Sequence, residues 1–333
     1  MRIGLAFDHK DDFVLRPGDP PDAASEWDSE ETIGCLEEAI RSLGHEVVRI
    51  GGGPDLIRRA ARDPLGVDLV FNICEGRDGR GREAQVPAIL ELLGVPYTGS
   101  DTLTMAVSLD KGVAKRLLRD AGVPTPDFAV LTDPSRADGL RLRFPLFVKP
   151  LHEGTGKGIS ISSIARDPRA LEEMVAWLVA SYNQPALVEE YLPGREFTVG
   201  ILGNAPSRAI GTMEVMVLDP EEQGIYSGGT KSEWERKVRY RYNNDIEPDL
   251  RAEVESVAVA AFVALECRDF GRVDIRCDGT GRPHVMEVNP LAGLSPVHGD
   301  LCFLARESGI SYRDLIGRIL EETCRRTGAG VAA

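Results

Sequence analysis

The sequence is poor in lysine and has an excess of acidic residues. Only seven of its 39 basic residues are lysine, and 53 acidic residues leave a formal net charge of −14. Such a chain lacks the cationic surface that non-specific binding to nucleic acid or to an anionic membrane requires. Because lysine is so scarce, each lysine becomes a marker for a place that uses a primary ammonium group.

Signals for a membrane, a secretory pathway or a zinc site are also missing. No run approaches the roughly 18 apolar residues of a membrane span, and the start, MRIGLAFDHK, has no cationic segment followed by an apolar stretch. The six cysteines show no CxxC or other metal-site spacing, which favours free thiols in a reducing compartment. We therefore expect a cytoplasmic protein without membrane association.

Two common nucleotide-binding signatures are absent as well. A Walker A loop needs Ser or Thr after its lysine, but Gly158 follows Lys157. No glycine fingerprint follows the first predicted strand, residues 2–7, which argues against an NAD-dependent or nucleotide-sugar enzyme built on the first domain. A nucleotide site in this chain must therefore be of another kind.

The length and the pattern of the chain predict an α/β protein of several domains. At 333 residues, with 42% hydrophobic and 28% charged residues, it exceeds one compact core and suits two or three lobes. The first hundred residues alternate strand and helix, which implies a small parallel sheet with helices on its faces. Its predicted elements are strands at 2–7, 46–50 and 68–73 and a helix at 28–43 capped by Asp28. A polar loop, residues 8–26, follows the first strand, at the sheet edge where such folds bind ligands.

The rest of the chain predicts further strands interrupted by helices. The helices are expected at 101–122, 168–182, 249–267 and 312–326, and the strands at 144–149, 160–164, 186–191, 196–202, 209–218, 270–278 and 283–289. A long charged connection, residues 219–244, lies between the strand at 209–218 and the helix at 249–267. Within a compact domain a connection of this length is usually functional or mobile.

A hairpin near the C-terminus, GRVDIRCDGTGRPHVMEVNP, places polar side chains together. Arg272 and Asp274 share one face of the first strand, and Glu287 and Asn289 share one face of the second. Two carboxylates and an amide oxygen are hard ligands of the kind that Mg²⁺ prefers. A solvated edge hairpin with ordinary exposed charges would show the same periodicity, so both interpretations stay open at this point.

Two further segments are consistent with a nucleotide-binding site but do not establish one. The apolar strand FVKP delivers Lys149 to the glycine-rich segment EGTGKG, whose backbone N–H groups could surround a phosphate or could simply form a hairpin turn. The strand LVEEYL ends in Glu189 and Glu190, with Glu196 close behind. These carboxylates could contact an adenine edge and a ribose, or the strand could merely end in solvent.

The order of these segments resembles the ATP-grasp superfamily and, within it, the D-alanine–D-alanine ligase family. The similarity runs from about residue 71 to residue 320 and includes ELLGVPYTGSD, SLDK, FVKP, EFTVGILG and GRVDIRCDGTG. It implies an ATP-grasp fold of three domains: an N-terminal α/β domain at 1–105, a central subdomain at 106–190 and a C-terminal subdomain at 191–330. It also implies a ligase that forms an amide through an acyl phosphate and releases ADP and phosphate, as in peptidoglycan synthesis.

The resemblance assigns a role to each matching residue. Lys111, Lys149 and Lys231 match the phosphate-binding lysines, and Thr155, Gly156 and Lys157 lie in the loop that closes over the γ-phosphate. Glu189, Glu190, Leu192 and Glu196 match the adenine and ribose contacts. Asp274, Glu287 and Asn289 match the ligands of magnesium, with two ions expected and Mn²⁺ able to substitute. Arg272 matches the arginine that stabilises the transferring phosphoryl group and the tetrahedral intermediate.

Departures from the family pattern cluster where the amino acids would bind. Glu26, in an expanded loop, is the best match for the carboxylate that holds the first substrate's amine, while Glu75 replaces a histidine. Thr155 and Gly156 stand where the family has a pair of serines, and Ser232 replaces a tyrosine. The serine that contacts the second substrate's carboxylate is replaced by Gly299; His298 could serve instead or could be structural.

These observations leave three hypotheses. The first is a ligase of amino acids, with D-alanine as the family substrate. The second is a specialised ligase that joins an amino acid to another metabolite in natural-product biosynthesis, and the third is an ATP-binding paralogue without catalysis. In each case we expect small-molecule partners, no nucleic acid and, from the resemblance, a homodimer.

Overall fold

The computed structural model describes residues 1–62, 64–218, 225 and 234–330, without the side chains of Asp138, Trp234 and Glu235. Within these residues the strands are β1 Arg2–Ala6, β2 Glu46–Arg49, β3 Leu69–Asn72, β4 Phe128–Leu131, β5 Leu146–Pro150, β6 Ile164–Ala165, β7 Ala186–Glu190, β8 Glu196–Leu202, β9 Arg208–Val217, β10 Val238–Tyr242, β11 Phe270–Cys277 and β12 Pro283–Asn289. The helices are α1 Glu30–Ser42, α2 Gly53–Ala60, α3 Gln85–Leu93, α4 Thr102–Leu109, α5 Lys111–Asp120, α6 Pro168–Tyr182, α7 Trp234–Lys237, α8 Pro248–Ala264, α9 Asp300–Glu307 and α10 Tyr312–Thr327.

The first sheet is parallel, in the order β2-β1-β3, which confirms the α/β prediction for this part of the chain. The predicted cap of α1 is wrong by one residue. Ser29 caps the helix and accepts a hydrogen bond from the Thr32 amide at 3.3 Å. Asp28 cannot take that place because its backbone closes the loop that follows β1. The Asp28 amide donates to the Asp8 carbonyl at 3.1 Å, and the Lys10 amide donates to the Asp28 carbonyl at 2.8 Å.

The core of the first sheet is shared with the end of the chain. Apolar side chains of α1 and β1 form one buried cluster with Phe270, Leu301 and Ile316. Where the end of α1 contacts α10, a Cβ on Gly317 would lie 3.3 Å from Leu43 Cδ2. The absence of a side chain at Gly317 therefore allows the two helices to pack closely. The C-terminal helices therefore support the N-terminal sheet.

Two antiparallel sheets follow the parallel one. The second has the order β4-β7-β5-β6 and the third the order β10-β9-β8-β11-β12. Each of the three sheets lies within one of the three sequence ranges predicted as domains. In the third sheet Asp274 is the register partner of Glu287 and Arg272 that of Asn289, with an irregularity after Asp274. This register brings the four polar side chains of the hairpin together.

Several predicted elements are corrected by the structure. The helix expected at 101–122 is two helices, because Asp110 has an extended backbone and its carboxylate caps α5 through the Val113 amide at 3.0 Å. The strand expected at 160–164 is a 3₁₀ turn at 161–163 followed by β6. The end of the charged connection is α7 and β10, while Lys231 and Ser232 lie outside the described residues.

Candidate active site

A cleft of about 790 Å³, partly open to solvent, is lined by residues of the second and third sheets and of the glycine-rich loop. It collects side chains that are far apart in the sequence. Of the residues predicted for ATP and metal, its lining includes Lys149, Gly156, Glu190, Leu192, Glu196, Asp274 and Glu287. Apolar walls come from Phe147, Ile159 and Met286. The cleft can therefore hold a flat apolar ring together with a highly charged group.

Beneath the cleft, a fully buried carboxylate joins two lysines. Glu189 Oε2 lies 3.0 Å from Lys149 Nζ, and Glu189 Oε1 lies 2.5 Å from Lys115 Nζ. Burial opposes ionisation of Glu189, but the two ammonium groups hold its pKa below the ordinary value. The predicted nucleotide contact at Glu189 thus lies under the cleft, where it fixes Lys149.

Lys115 was not predicted as a site residue from the sequence. Burial lowers its pKa to about 8, although Glu189 opposes the shift. Its ammonium group also donates to Thr125 Oγ1 at 2.7 Å. The scarcity of lysine could have identified it, since it follows Lys111 by four residues on one face of α5.

Lys111 connects the hairpin with the glycine-rich loop. Its Nζ lies 3.4 Å from Glu287 Oε2 and donates a hydrogen bond to the Glu153 carbonyl. The break between α4 and α5 at Asp110 places Lys111 at the start of its helix. An ammonium group in this position is suited to hold a phosphate that spans the hairpin and the loop.

Arg272 lies between two carboxylates. Its Nε and Nη2 donate to Asp274 at 3.0 and 2.9 Å, and its Nη1 donates to Asp300 at 3.2 Å. Burial opposes its charge, but the carboxylates raise its pKa further above the ordinary value. Asp300 was not predicted because it belongs to α9, a short helix that the sequence pattern did not reveal. It lines the cleft and is 7% exposed.

The predicted metal ligands suit a hard cation. Asp274 accepts hydrogen bonds from Thr198 Oγ1 at 3.0 Å and from Asn289 Nδ2 at 3.1 Å, and Glu287 lies opposite it on β12. No cluster of three or more His, Cys, Asp or Glu side chains able to bind a metal occurs in the part of the chain that the structure describes. Two carboxylates and an amide oxygen fit Mg²⁺ when water and phosphate oxygens complete its coordination.

The far end of the cleft combines carboxylates with aromatic and cationic groups. Glu190 accepts from Arg143 Nη2 at 2.7 Å, and Glu196 lies 2.9 Å from Arg276 Nη1. Arg276 also donates to the Tyr191 hydroxyl at 3.1 Å. These carboxylates can accept hydrogen bonds from hydroxyl and amino groups of a nucleoside that lies on the apolar wall.

The glycine-rich loop contains three residues in the left-handed region: Thr155, Gly156 and Gly158, with φ of 54°, 75° and 69°. Gly156 faces the cleft, but the ammonium group of Lys157 does not approach it in the contacts described. The Lys157 Nζ atom lies 2.6 Å from Glu26 Oε2 and also pairs with Glu153. The role of Lys157 in phosphate binding stays a prediction that requires this ammonium group to exchange partners.

Glu26, predicted to hold a substrate amine, lies at the junction of the first domain and the loop. It accepts hydrogen bonds from the Gly154 amide at 2.8 Å and from Arg82 Nη2 at 2.8 Å. Burial opposes its ionisation, but Arg82 and Lys157 keep its pKa low. A substrate amine at Glu26 would therefore compete with two cations of the protein.

Glu75 belongs to the same acidic surroundings. Burial, followed by the charges of Glu83 and Glu26, raises the pKa of Glu75 well above the ordinary value. The pKa of Glu83 rises to about 7, mainly through burial, while Arg82 opposes the shift. An ammonium group that entered this region would meet carboxyl groups that can ionise and balance its positive charge.

The two residues predicted to contact the second substrate differ in their exposure to solvent. His298 is exposed, whereas Gly299 is buried at the start of α9. A Cβ on Gly299 would lie 2.6 Å from the Ser295 carbonyl oxygen and 2.7 Å from that of Gly293. The backbone therefore leaves no room for a serine at 299 unless the turn before α9 moves.

Two general predictions can also be compared with the structure. All six cysteines are free thiols, as expected. Of the helices that the structure describes, none is both long and apolar enough to cross a bilayer.

Comparison with known proteins gives consistent matches. A family model described as "D-ala D-ala ligase C-terminus" matches residues 117–321. The chain is 36% identical to "Uncharacterized protein y4sG" of Sinorhizobium fredii, covering 98% of both chains. It is 31% identical to the D-alanine–D-alanine ligase of Xanthomonas axonopodis pv. citri, covering 87% of this chain and 88% of that one. The crystal structure of D-alanine–D-alanine ligase from Bacillus anthracis in complex with ATP matches with a TM-score of 0.73 at 26% identity, covering 98% and 99% of the two chains.

Proposed function

This chain belongs to the D-alanine–D-alanine ligase family, and we propose that it joins the carboxylate of one amino acid to the amine of a second, with D-alanine in both roles. It is an ATP-dependent ligase that forms a carbon–nitrogen bond. ATP is the phosphoryl donor, and an acyl phosphate is the intermediate. The observation that carries the proposal is the cleft in which Lys149, Asp274 and Glu287 meet beside the glycine-rich loop, with Arg272 paired to Asp274.

The first half of the reaction is a phosphoryl transfer. A carboxylate oxygen of the first amino acid forms a bond to the γ-phosphorus of ATP, and the bond from that phosphorus to the bridging oxygen of ADP breaks. Such a transfer depends on alignment and charge neutralisation. Lys149 and Lys111 are placed to hold the phosphates, and Glu189 keeps Lys149 in position.

The second half is an acyl transfer. The amine nitrogen of the second amino acid attacks the acyl carbon, the carbon–oxygen bond to phosphate breaks, and the amine loses a proton as the amide forms. Arg272 can stabilise the negative oxygen that develops in the tetrahedral intermediate. Asp274, Glu287 and Asn289 would hold Mg²⁺, which neutralises phosphate charge and orients the γ-phosphate when bound.

A second candidate, a specialised ligase that takes another metabolite as its amine, is favoured by one observation. Gly299 stands where the resemblance places a serine that binds the second substrate's carboxylate, and its backbone leaves no room for one. A catalytically silent ATP-binding paralogue is less well supported, because the sequence contains all the lysines, the arginine and the carboxylates that the resemblance assigns to ATP, magnesium and catalysis.

A pairwise assay distinguishes these functions. The purified protein is incubated with ATP, Mg²⁺ and D-alanine, and phosphate and dipeptide are measured. We expect both to form in equal amounts, and not to form with L-alanine. An adduct that forms only when D-alanine is combined with another amine supports the specialised ligase. Nucleotide binding without turnover for any pair supports the silent paralogue.

Three broader expectations form part of the proposal. The division into domains at about residues 105 and 190 is supported by the three separate sheets. A homodimer is expected from the resemblance, and sedimentation of the purified protein tests it. The free cysteines agree with a cytoplasmic site of action.

A further inference from the structure

The segment at residues 8–28, here called the N-terminal strap, is anchored on the first domain. Trp27 Nε1 donates to the Gly76 carbonyl at 3.1 Å. The Arg77 guanidinium lies 4.2 Å from the centre of the Phe13 ring and donates to Asp19 Oδ2 at 2.7 Å. These contacts give the strap a fixed position although it contains little regular structure.

The other side of the strap contacts the glycine-rich loop, residues 153–158, through Asp22. Asp22 Oδ2 accepts a hydrogen bond from the Gly158 amide at 3.2 Å and one from the Tyr182 hydroxyl at 2.9 Å. Tyr182 is the last residue of α6. Asp22 therefore joins three separate parts of the chain: the strap, the end of the loop and the end of α6.

The loop has few bonds of its own that could fix its shape. Its internal backbone hydrogen bonds are two turns, from the Lys157 amide to the Gly154 carbonyl and from the Ile159 amide to the Gly156 carbonyl, and it has an internal ion pair, that of Lys157 with Glu153. Glu26 holds the amide of Gly154, and Asp22 holds that of Gly158. The strap thus binds the loop at both ends, while Gly156 between them faces the cleft.

We propose that Asp22 is a positioning residue that keeps the glycine-rich loop closed over the cleft and limits the access of water to the acyl phosphate. The inference rests on the proposed function, because it concerns the same intermediate. Water that reached the acyl phosphate would form a bond to the acyl carbon, and phosphate would leave, so that ATP would be consumed without amide formation. A closed loop excludes this side reaction.

Hydrogen exchange of residues 153–159 in the presence of a non-hydrolysable ATP analogue tests the positioning directly. We expect Asp22→Ala to raise the exchange rate of the Gly158 amide about tenfold, the effect of one lost hydrogen bond. Asp22→Asn, which keeps a carbonyl oxygen, should restore most of the protection. Asp19→Asn is the matched control in the same strap. It should leave the loop unchanged, because Asp19 does not contact the loop and asparagine keeps an oxygen that can accept the hydrogen bond from Arg77.

The second readout is the ratio of phosphate released to amide formed, with D-alanine as the probe. We expect a ratio near one for the wild type and for Asp19→Asn, and a clearly higher ratio for Asp22→Ala. Unchanged exchange in Asp22→Ala overturns the inference whatever the activity, and faster exchange with a ratio that stays at one overturns the role in excluding water. A wild type that forms no amide overturns the proposed function, while the exchange experiment still decides whether Asp22 holds the loop.

Discussion

Replacement of Glu189 by glutamine should destabilise the protein strongly, because it leaves two buried ammonium groups without their shared counterion. The two ion pairs measure 2.5 and 3.0 Å, and Glu189 is fully buried. At an effective dielectric constant of about 20, each pair represents roughly 6 kcal/mol of Coulomb energy. The lost attraction is partly offset because glutamine is easier to bury, so we expect a net loss of about 3 to 5 kcal/mol in the free energy of unfolding.

Urea denaturation without nucleotide measures this loss, and the neighbouring Glu190→Gln provides a matched control. Glu190 pairs with Arg143, whose side chain is 87% exposed, so the control should lose no more than about 1 kcal/mol. Adding Lys115→Met to Glu189→Gln should recover part of the stability, because it removes one of the two uncompensated charges. Equal losses in Glu189→Gln and Glu190→Gln would refute the reasoning.

Two further predictions concern the turn before α9 and the acidic region after β1. Gly299→Ser should lower the free energy of unfolding by about 1 to 3 kcal/mol, because the added Cβ would meet two backbone oxygens. A Cβ at Gly293 would lie in open space, so the melting temperature of the control variant Gly293→Ser should stay near that of the wild type. Asp28→Asn should become more stable relative to wild type as pH rises from 4 to 8. Burial and Asp8 raise the pKa of Asp28 to about 7. The folded state therefore binds more protons than the unfolded state between pH 4 and 7, and wild-type stability falls with rising pH, by up to about 4 kcal/mol. Urea denaturation measures this change. A difference in the free energy of unfolding between the two proteins that stays constant from pH 4 to 8 would contradict the assignment.

Elements with a strong local pattern were predictable from the sequence. The helix at 168–182 begins with a proline after a capping Asp167 and was predicted with its observed bounds. The hairpin of β11 and β12 was predicted within one residue, because alternation and the DGTG turn agree. Where local signals coincide in this way, the sequence is sufficient.

Other features have a weak local signal or depend on contacts between distant parts of the chain. The break between α4 and α5 follows from one capping carboxylate, Asp110, inside an otherwise continuous helical pattern. β10 pairs with the edge of β9, and α9 is too short to show its own periodicity. Local pattern alone could not have identified these elements.

The candidate site shows the same division. The resemblance located Asp274 and Glu287 on the hairpin and Lys149 on β5, and these three residues line one cleft in the structure. It could not show that Glu189 is a buried counterion, that Lys157 pairs with Glu26, or that Asp300 approaches Arg272. Each of these contacts joins residues whose proximity depends on how the sheets and loops pack against each other.

The central claim, an acyl phosphate formed from ATP, is tested most directly by isotope transfer. D-alanine carrying ¹⁸O in its carboxylate is incubated with the protein, ATP and Mg²⁺, and the nucleotide and phosphate products are analysed by mass spectrometry. The account predicts ADP, a dipeptide and phosphate that contains one ¹⁸O atom from the carboxylate. Formation of AMP and pyrophosphate, or of phosphate without ¹⁸O, would contradict it.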